Sequence, residues 1–277
     1  MWIIIVCGVL LLVGLTAGVG WGNQPFVSPD PGPLTAREVA RRFVRHASIA
    51  ITAGIAAGIT VVGAGGRLMM RLLAVTAGNS AQGRVTEAEE VVGRITLHGT
   101  RGFVLFIGIF FGLTGSLLFL VVRRFLPAGR LGGVVFGLSL LVVAGSVLDP
   151  LRKENPDFDI VGPGWVAVVG FTALAIGFGL AIKGLTARAS AWLPQFSTRP
   201  AVLLRYAVPA VVTAVLFVLI PLLLAIGVIV VLVTRCHAIV RMVRSHRWVI
   251  GGQVLLITLI LVSLPNTISN IVDIVSR

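Results

Sequence analysis

The sequence predicts an all-α fold, a polytopic transmembrane helical bundle of about seven spans with short interfacial amphipathic helices. Three observations carry that expectation. Of 277 residues, 57% are hydrophobic and 12% charged, and the mean hydropathy of +1.03 exceeds the soluble globular norm. The apolar residues fall into runs near the roughly 20 residues that a helix needs to cross hydrocarbon. The arginines gather at the ends of those runs, where anionic lipid headgroups and topology account for a formal charge of +13 better than nucleic acid does. The chain therefore reads as one membrane domain over residues 1–277, and no nucleic-acid partner is expected.

The first span, 2–20, resembles a signal peptide in length but lacks a basic leading region, so it reads as an uncleaved anchor. Cys7 lies inside it as a small apolar packing residue, far from Cys236, and the pair gives neither a disulfide framework nor a metal spacing. A proline-rich connection through Pro25, Pro29, Pro31 and Pro33 follows. Thr35 with Glu38 forms a capping box for an interfacial helix at 36–46, whose Arg37, Arg41, Arg42 and Arg45 surround a face of Val39, Phe43 and Ala47.

Span two, 47–66, carries Gly54 and Gly58 and ends near Arg67 and Arg71. A second capping box, Thr86 with Glu89, predicts an interfacial helix at 87–94, with Gly99 as a terminator. Span three, 102–122, repeats the small-residue spacing at Gly108, Gly112 and Ser116; span four, 131–148, has Gly133 and Gly137; span five, 164–182, has Gly177. Lipid removes the apolar drive for helix pairing, so these small faces mark close packing among spans two to five. Spans 206–233 and 249–264 are rich in Leu, Val and Ile, as suits a peripheral, lipid-facing position. Pro209 and Pro221 are candidate kinks in the sixth, and a re-entrant segment folded at Pro221 is the alternative to a span. With the N-terminus outside, the acidic loop 149–163 also falls outside, but seven spans divide the arginines almost evenly between the two faces.

Several constellations bear on possible chemistry. Glu89-Glu90-Val91-Val92-Gly93-Arg94 has the EExxxR form of glutamate-type intramembrane proteases, yet their histidine motifs are missing, and Glu90 with Arg94 fits an ordinary helical i,i+4 pair. No serine stands in a rhomboid-like setting, and His46 and His98 begin successive spans, so they fall on opposite faces. Asp149, Glu154, Asp157 and Asp159 concentrate acids without an EF-hand spacing, which favours a solvated loop. Charged residues are absent from span centres, which argues against a proton-coupled carrier. A polar path past Thr60 and Thr114 would mark a pore. No metal or cofactor is expected.

The run Gly66-Arg67-Leu68-Met69-Met70-Arg71-Leu72-Leu73, then Gln82-Gly83-Arg84-Val85-Thr86-Glu87-Ala88-Glu89, Leu148-Asp149-Pro150 and Asn155-Pro156-Asp157-Phe158, resembles a group of uncharacterised multi-pass integral membrane proteins of actinobacteria. The similarity covers about residues 50–185. It implies a bacterial plasma-membrane location and a shared helical core, and it brings no activity or ligand. It singles out Arg67, Arg71, Glu89, Arg94, Asp149, Asp157 and Asp159, with Glu90 added from the EExxxR match. The expected role is a non-enzymatic scaffold or partner subunit, with the bilayer's anionic headgroups and a membrane protein partner or second copy as its contacts. The alternatives are a small-solute or lipid permeation protein and, less well supported, an intramembrane protease.

Overall fold

The structure is a computed structural model, and it describes residues 2–28, 35–87, 89–145, 147, 150–216, 219–235, 241–242 and 245–277, the side chains at 219, 220, 222 and 235 excepted. Asp149, Cys236, His237 and Pro29, Pro31 and Pro33 lie outside the described residues. The described chain is all-α with a single isolated bridge, Val85 to Val91. Its helices are α1 (Trp2–Trp21), α2 (Ala36–Thr76), α3 (Leu97–Val122), α4 (Gly129–Gly145), α5 (Gly164–Trp192), α6 (Pro200–Val215), α7 (Leu219–Arg235) and α8 (His246–Ser276). Five of them, α1, α2, α3, α5 and α8, are long and apolar enough to cross a membrane; α4 and α6 are shorter apolar helices, as is the Leu223–Thr234 part of α7.

Helix α2 is the axis of the bundle. Thr35 caps it, the hydroxyl accepting from the Glu38 N–H at 3.3 Å. The helix then runs unbroken to Thr76, so 36–46 is its first turns and not a separate interfacial helix. The amphipathic start and the apolar middle merge because no glycine or proline separates them. Between Arg45 and Arg67 the axis rises about 33 Å, close to a bilayer's hydrocarbon thickness.

Glycines close the seam between α2 and α3. A Cβ on Gly54 would lie 2.7 Å from the Gly112 carbonyl oxygen, one on Gly108 2.8 Å from that of Gly58, and one on Gly112 2.7 Å from the Gly58 Cα. Only glycine permits this backbone contact. Ser116 adds a bond across it, donating to the Ala50 carbonyl at 2.8 Å. Below the seam each helix contains a π-helical turn, Gly58–Gly63 in α2 and Phe103–Gly108 in α3, and the two face each other. A second seam joins α4 to α5, where a Cβ on Gly133 would meet the Gly179 carbonyl at 2.9 Å and one on Gly137 the Ala175 carbonyl carbon at 2.8 Å. Gly177 faces α1, with Leu15 2.7 Å from its would-be Cβ. The interior between the seams is filled by Val61, Phe119, Phe136, Phe178 and Ile182, with Phe119 and Phe136 edge to face at 5.2 Å.

Three further expectations are corrected. The expected helix at 87–94 is absent among its described residues, 87 and 89–94: Glu89 adopts φ +59° and Gly93 φ +85°, and Thr86 bonds the Glu90 backbone in a tight turn. Left-handed residues break helical propagation, which turns the apparent capping box into a turn motif. Gly99 sits in the first turn of α3, which starts at Leu97 behind a Thr96 cap, and terminates nothing. The segment 206–233 is two helices. Tyr206 of α6 packs with Ile49, and Gly227 of α7 sits against Phe43, only six residues away on α2. A straight helix would separate Tyr206 from Gly227 by about 30 Å, so the chain turns back between α6 and α7.

That reversal decides which charges share an end. At one end lie Arg37, Arg41, Arg42 and Arg45 of α2, Arg123, Arg124 and Arg130 around the α3–α4 turn, Lys183 and Arg188 of α5, Arg199 and Arg205 at α6, Arg241 before α8 and Arg247 in its first turn. Contacts tie this end together: Arg130 donates to the Val19 carbonyl, Lys183 to that of Gln24 and Arg205 to that of Trp192, while Phe125 abuts Gly252. Its only acid among the described residues is Glu38. The opposite end mixes signs: Arg67, Arg71, Arg84, Arg94, Arg101, Arg152, Lys153 and Arg277 stand among Glu87, Glu89, Glu90, Glu154, Asp157, Asp159 and Asp273.

Candidate functional site

Most residues singled out by sequence meet at the mixed end, where they hold loops together. Arg67 donates to Thr100 Oγ1 at 3.3 Å and lies over the Phe103 ring, tying α2 to the start of α3. Arg71, a turn further on, donates to the Gly93 carbonyl at 3.4 Å and holds the 85–94 turn. Asp157 caps that turn from the facing loop by accepting the Glu87 N–H at 2.7 Å. Arg152 chelates Glu87 through both carboxylate oxygens, at 2.9 and 2.7 Å. Arg277 reaches back to Asp159 at 3.0 Å and to the Lys153 carbonyl at 2.7 Å. Beneath this cap Asn270 of α8 donates to the Leu151 carbonyl at 3.0 Å, and Thr76 to that of Gly162 at 2.7 Å.

This arrangement is structural chemistry. Asp157 and Asp159 accept from protein donors, and among the described residues no three His, Cys, Asp or Glu side chains gather where they could hold a metal. Glu89 is exposed on its left-handed turn, Glu90 is half-buried beside Gly99, and Arg94 is exposed, so the helical Glu90–Arg94 pair does not form. Thr60 turns toward Gly14 of α1 while Thr114 is exposed on the outside of α3, so the two share no path.

The basic end holds what sequence reasoning missed. Arg45, read as one of four surface arginines, is 3% exposed. Its guanidinium donates to the carbonyls of Leu193 at 2.8 Å, Ser190 at 2.6 Å and Val27 at 3.0 Å, fastening α2 to the end of α5 and to the chain after α1, and its Nη1 is buried with no partner. The available signal was its place four residues before Ile49, on the face of α2 that packs.

Beside it lies a cavity of about 230 Å³ lined by Phe26, Phe119, Arg123, Leu126, Pro127, Ala128, Gly132, Lys183, Thr186 and Ala187. Arg123 ends α3 and lies 3.5 Å over the Phe26 ring, a cation–π contact that occupies one face of its guanidinium. Among the described residues no carboxylate or carbonyl accepts from it. Burial, with Arg124 and Arg45 nearby, pushes its pKa down to about 10. Lys183 reaches the same cavity with a single bond, to the Gln24 carbonyl at 3.3 Å. Helix α4 begins at the cavity wall behind Ala128, and Asn23 Oδ1 accepts the Arg130 N–H of its first turn at 3.1 Å. The sequence puts Arg123 and Lys183 at the ends of different spans, and nothing in their spacing reveals that they converge.

No family model matches this sequence, and no curated protein or solved structure matches it either.

Proposed function

We propose that this chain is a multi-pass protein of the bacterial plasma membrane, crossing the bilayer six times through α1, α2, α3, α4, α5 and α8, with its basic end in the cytoplasm. Its α6–α7 hairpin enters and leaves on the cytoplasmic side. The observation that carries this reading is the division of charge between the two ends: one end is almost purely basic, the other is mixed. Positive residues concentrate on the cytoplasmic side of membrane proteins, and a six-crossing topology satisfies that rule where seven crossings do not. Helix α4, 17 residues with its π turn, is at the short end of what can span. The resemblance over residues 50–185 supports the plasma-membrane location.

Within that membrane the chain serves as a non-enzymatic scaffold or partner subunit. Backbone contact along the two glycine seams supports this role, because it closes the space between helices that a permeation path would use. In a background lacking Cys7 and Cys236, single cysteines at Glu154, Arg199 and Arg241 test the topology with a membrane-impermeant maleimide on intact cells. Glu154→Cys should label at once, and the other two only after permeabilisation. Surface labelling of Arg241→Cys would restore a seventh crossing. Size-exclusion and pull-down from mild detergent test the scaffold role: recovery of neither a stoichiometric partner nor a self-assembled species would end it.

A further inference from the structure

The cavity at the basic end combines features that a filled structural site does not need. Among the described residues no acceptor takes the Arg123 N–H groups, and Lys183 uses one donor of three, while the opening turn of α4 is capped from outside by Asn23 Oδ1, which accepts the Arg130 N–H at 3.1 Å. The positive dipole end of α4 adds to the positive potential at this end. The electrostatics of the neighbourhood are unfavourable without an anion: Arg45 is buried close by with an unpartnered Nη1, and the one described acid of this end, Glu38, is engaged by Arg42 and Gln195. The opposite wall is apolar, formed by Phe119, Leu126 and Pro127.

From these contacts we infer that the cavity binds a phosphate ester, its phosphoryl oxygens taken by Arg123 and Lys183 and its organic portion lying on Phe119, Leu126 and Pro127. A guanidinium fork and an ammonium together suit a tetrahedral oxyanion. The volume of about 230 Å³ is below the usual range of small-molecule pockets, which limits the bound group to a phosphate and the few atoms joined to it. Two sources share this chemistry: the headgroup of an anionic phospholipid entering from the cytoplasmic leaflet, and a small soluble phosphate ester. The lipid source alone rests on the cytoplasmic-face reading above, which the cysteine labelling tests independently.

The test uses the full chain, purified in detergent and delipidated. Native mass spectrometry and thermal unfolding are followed on titration with phosphatidylglycerol, with diacylglycerol as the phosphate-free control, and with glycerol 3-phosphate. Phosphatidylglycerol retention without a response to diacylglycerol identifies the lipid source. A thermal shift with glycerol 3-phosphate and no phosphatidylglycerol retention identifies the soluble one. In either case Arg123→Gln with Lys183→Gln should weaken binding at least about tenfold, the loss expected for removing charge-assisted bonds. Arg123→Lys, which keeps the charge and loses the fork, should fall between that variant and the wild type. Arg188→Gln removes the same charge from the same end, beside Trp21 and away from the cavity lining, and should change affinity less than about twofold. Binding of neither ligand by the wild type would overturn the proposal, as would an equal loss in Arg188→Gln, which would reduce the effect to general surface charge.

Discussion

At the mixed end of the bundle, Arg152 holds Glu87, Arg277 holds Asp159, and Asp157 takes the Glu87 N–H; at the basic end Arg123 has an aromatic ring for company and Arg45 leaves a guanidinium nitrogen unpartnered. Both ends carry many arginines and both close the same helices. The difference is in what the charges face. Loops of the mixed end interlock through opposite charges, so that end is complete by itself. The basic end has satisfied its apolar and backbone needs and kept a surplus of positive potential. Burial first, and then the neighbouring Arg124 and Arg45, lowers the pKa of Arg123, a cost to the charged form that an anion would relieve.

That contrast can be broken most severely at Arg45. Replacing it with Ala strips charged donors from three carbonyls, two of them buried, and should cost about 3–5 kcal/mol, read by thermal or denaturant unfolding in detergent. An unchanged midpoint would mean that the basic end is not anchored there. Gly112→Val drives a side chain into the backbone of α2 and should cost about 2–3 kcal/mol. Because the seam lies between the ends, protease sensitivity should rise at both, and a rise at one alone would contradict the shared frame.

Smaller changes separate the ends. Asn270→Leu leaves the Leu151 carbonyl without its donor and should cost about 1–2 kcal/mol, with hydrogen exchange accelerating only around 150–163. Arg123→Gln should have the opposite sign and raise the melting temperature of the ligand-free protein. The sign follows from linkage: a folded pKa of about 10, below the ordinary arginine value, means that folding weakens proton binding. The penalty is therefore fully present below about pH 10 and is relieved as pH climbs above it, and removing the charge relieves it at any pH. A lower melting temperature would show that the cation is stabilising. Least of all, Glu87→Gln at the half-exposed pair with Arg152 should cost under about 1 kcal/mol, an effect that disappears in high salt.

How much of this was legible depended on whether the signal was periodic. Helical spacing exposes Gly54 and Gly58, Gly108 and Gly112, and Gly133 and Gly137 as packing faces, because the requirement is the absence of a side chain at fixed intervals. The reversal between α6 and α7 leaves no such mark. The sequence between the two helices continues an unbroken apolar run, whereas Pro209 and Pro221, the obvious punctuation, lie inside helices. Thr86 and Glu89 misled for a related reason: a hydroxyl three residues ahead of a carboxylate serves a helix start and a tight turn equally well, and the backbone at Glu89 and Gly93 decides between them. Arg45, Arg123 and Lys183 look alike to many other basic residues in the sequence, since burial and convergence are properties of the assembled helices.

The facing wide turns of α2 and α3 have a consequence for how the two ends are geared to each other. One residue gained or lost in a helix rotates everything beyond it by about 100°. With Gly58–Gly63 intact, Gly54 above and Gly63 below both face α3, and Arg67 and Arg71 arrive pointing at Thr100 and Gly93. Excising a single residue there would leave the first half of the helix seated while swinging both arginines off their partners, so a deletion in mid-helix would unlatch the mixed-end cap without touching it.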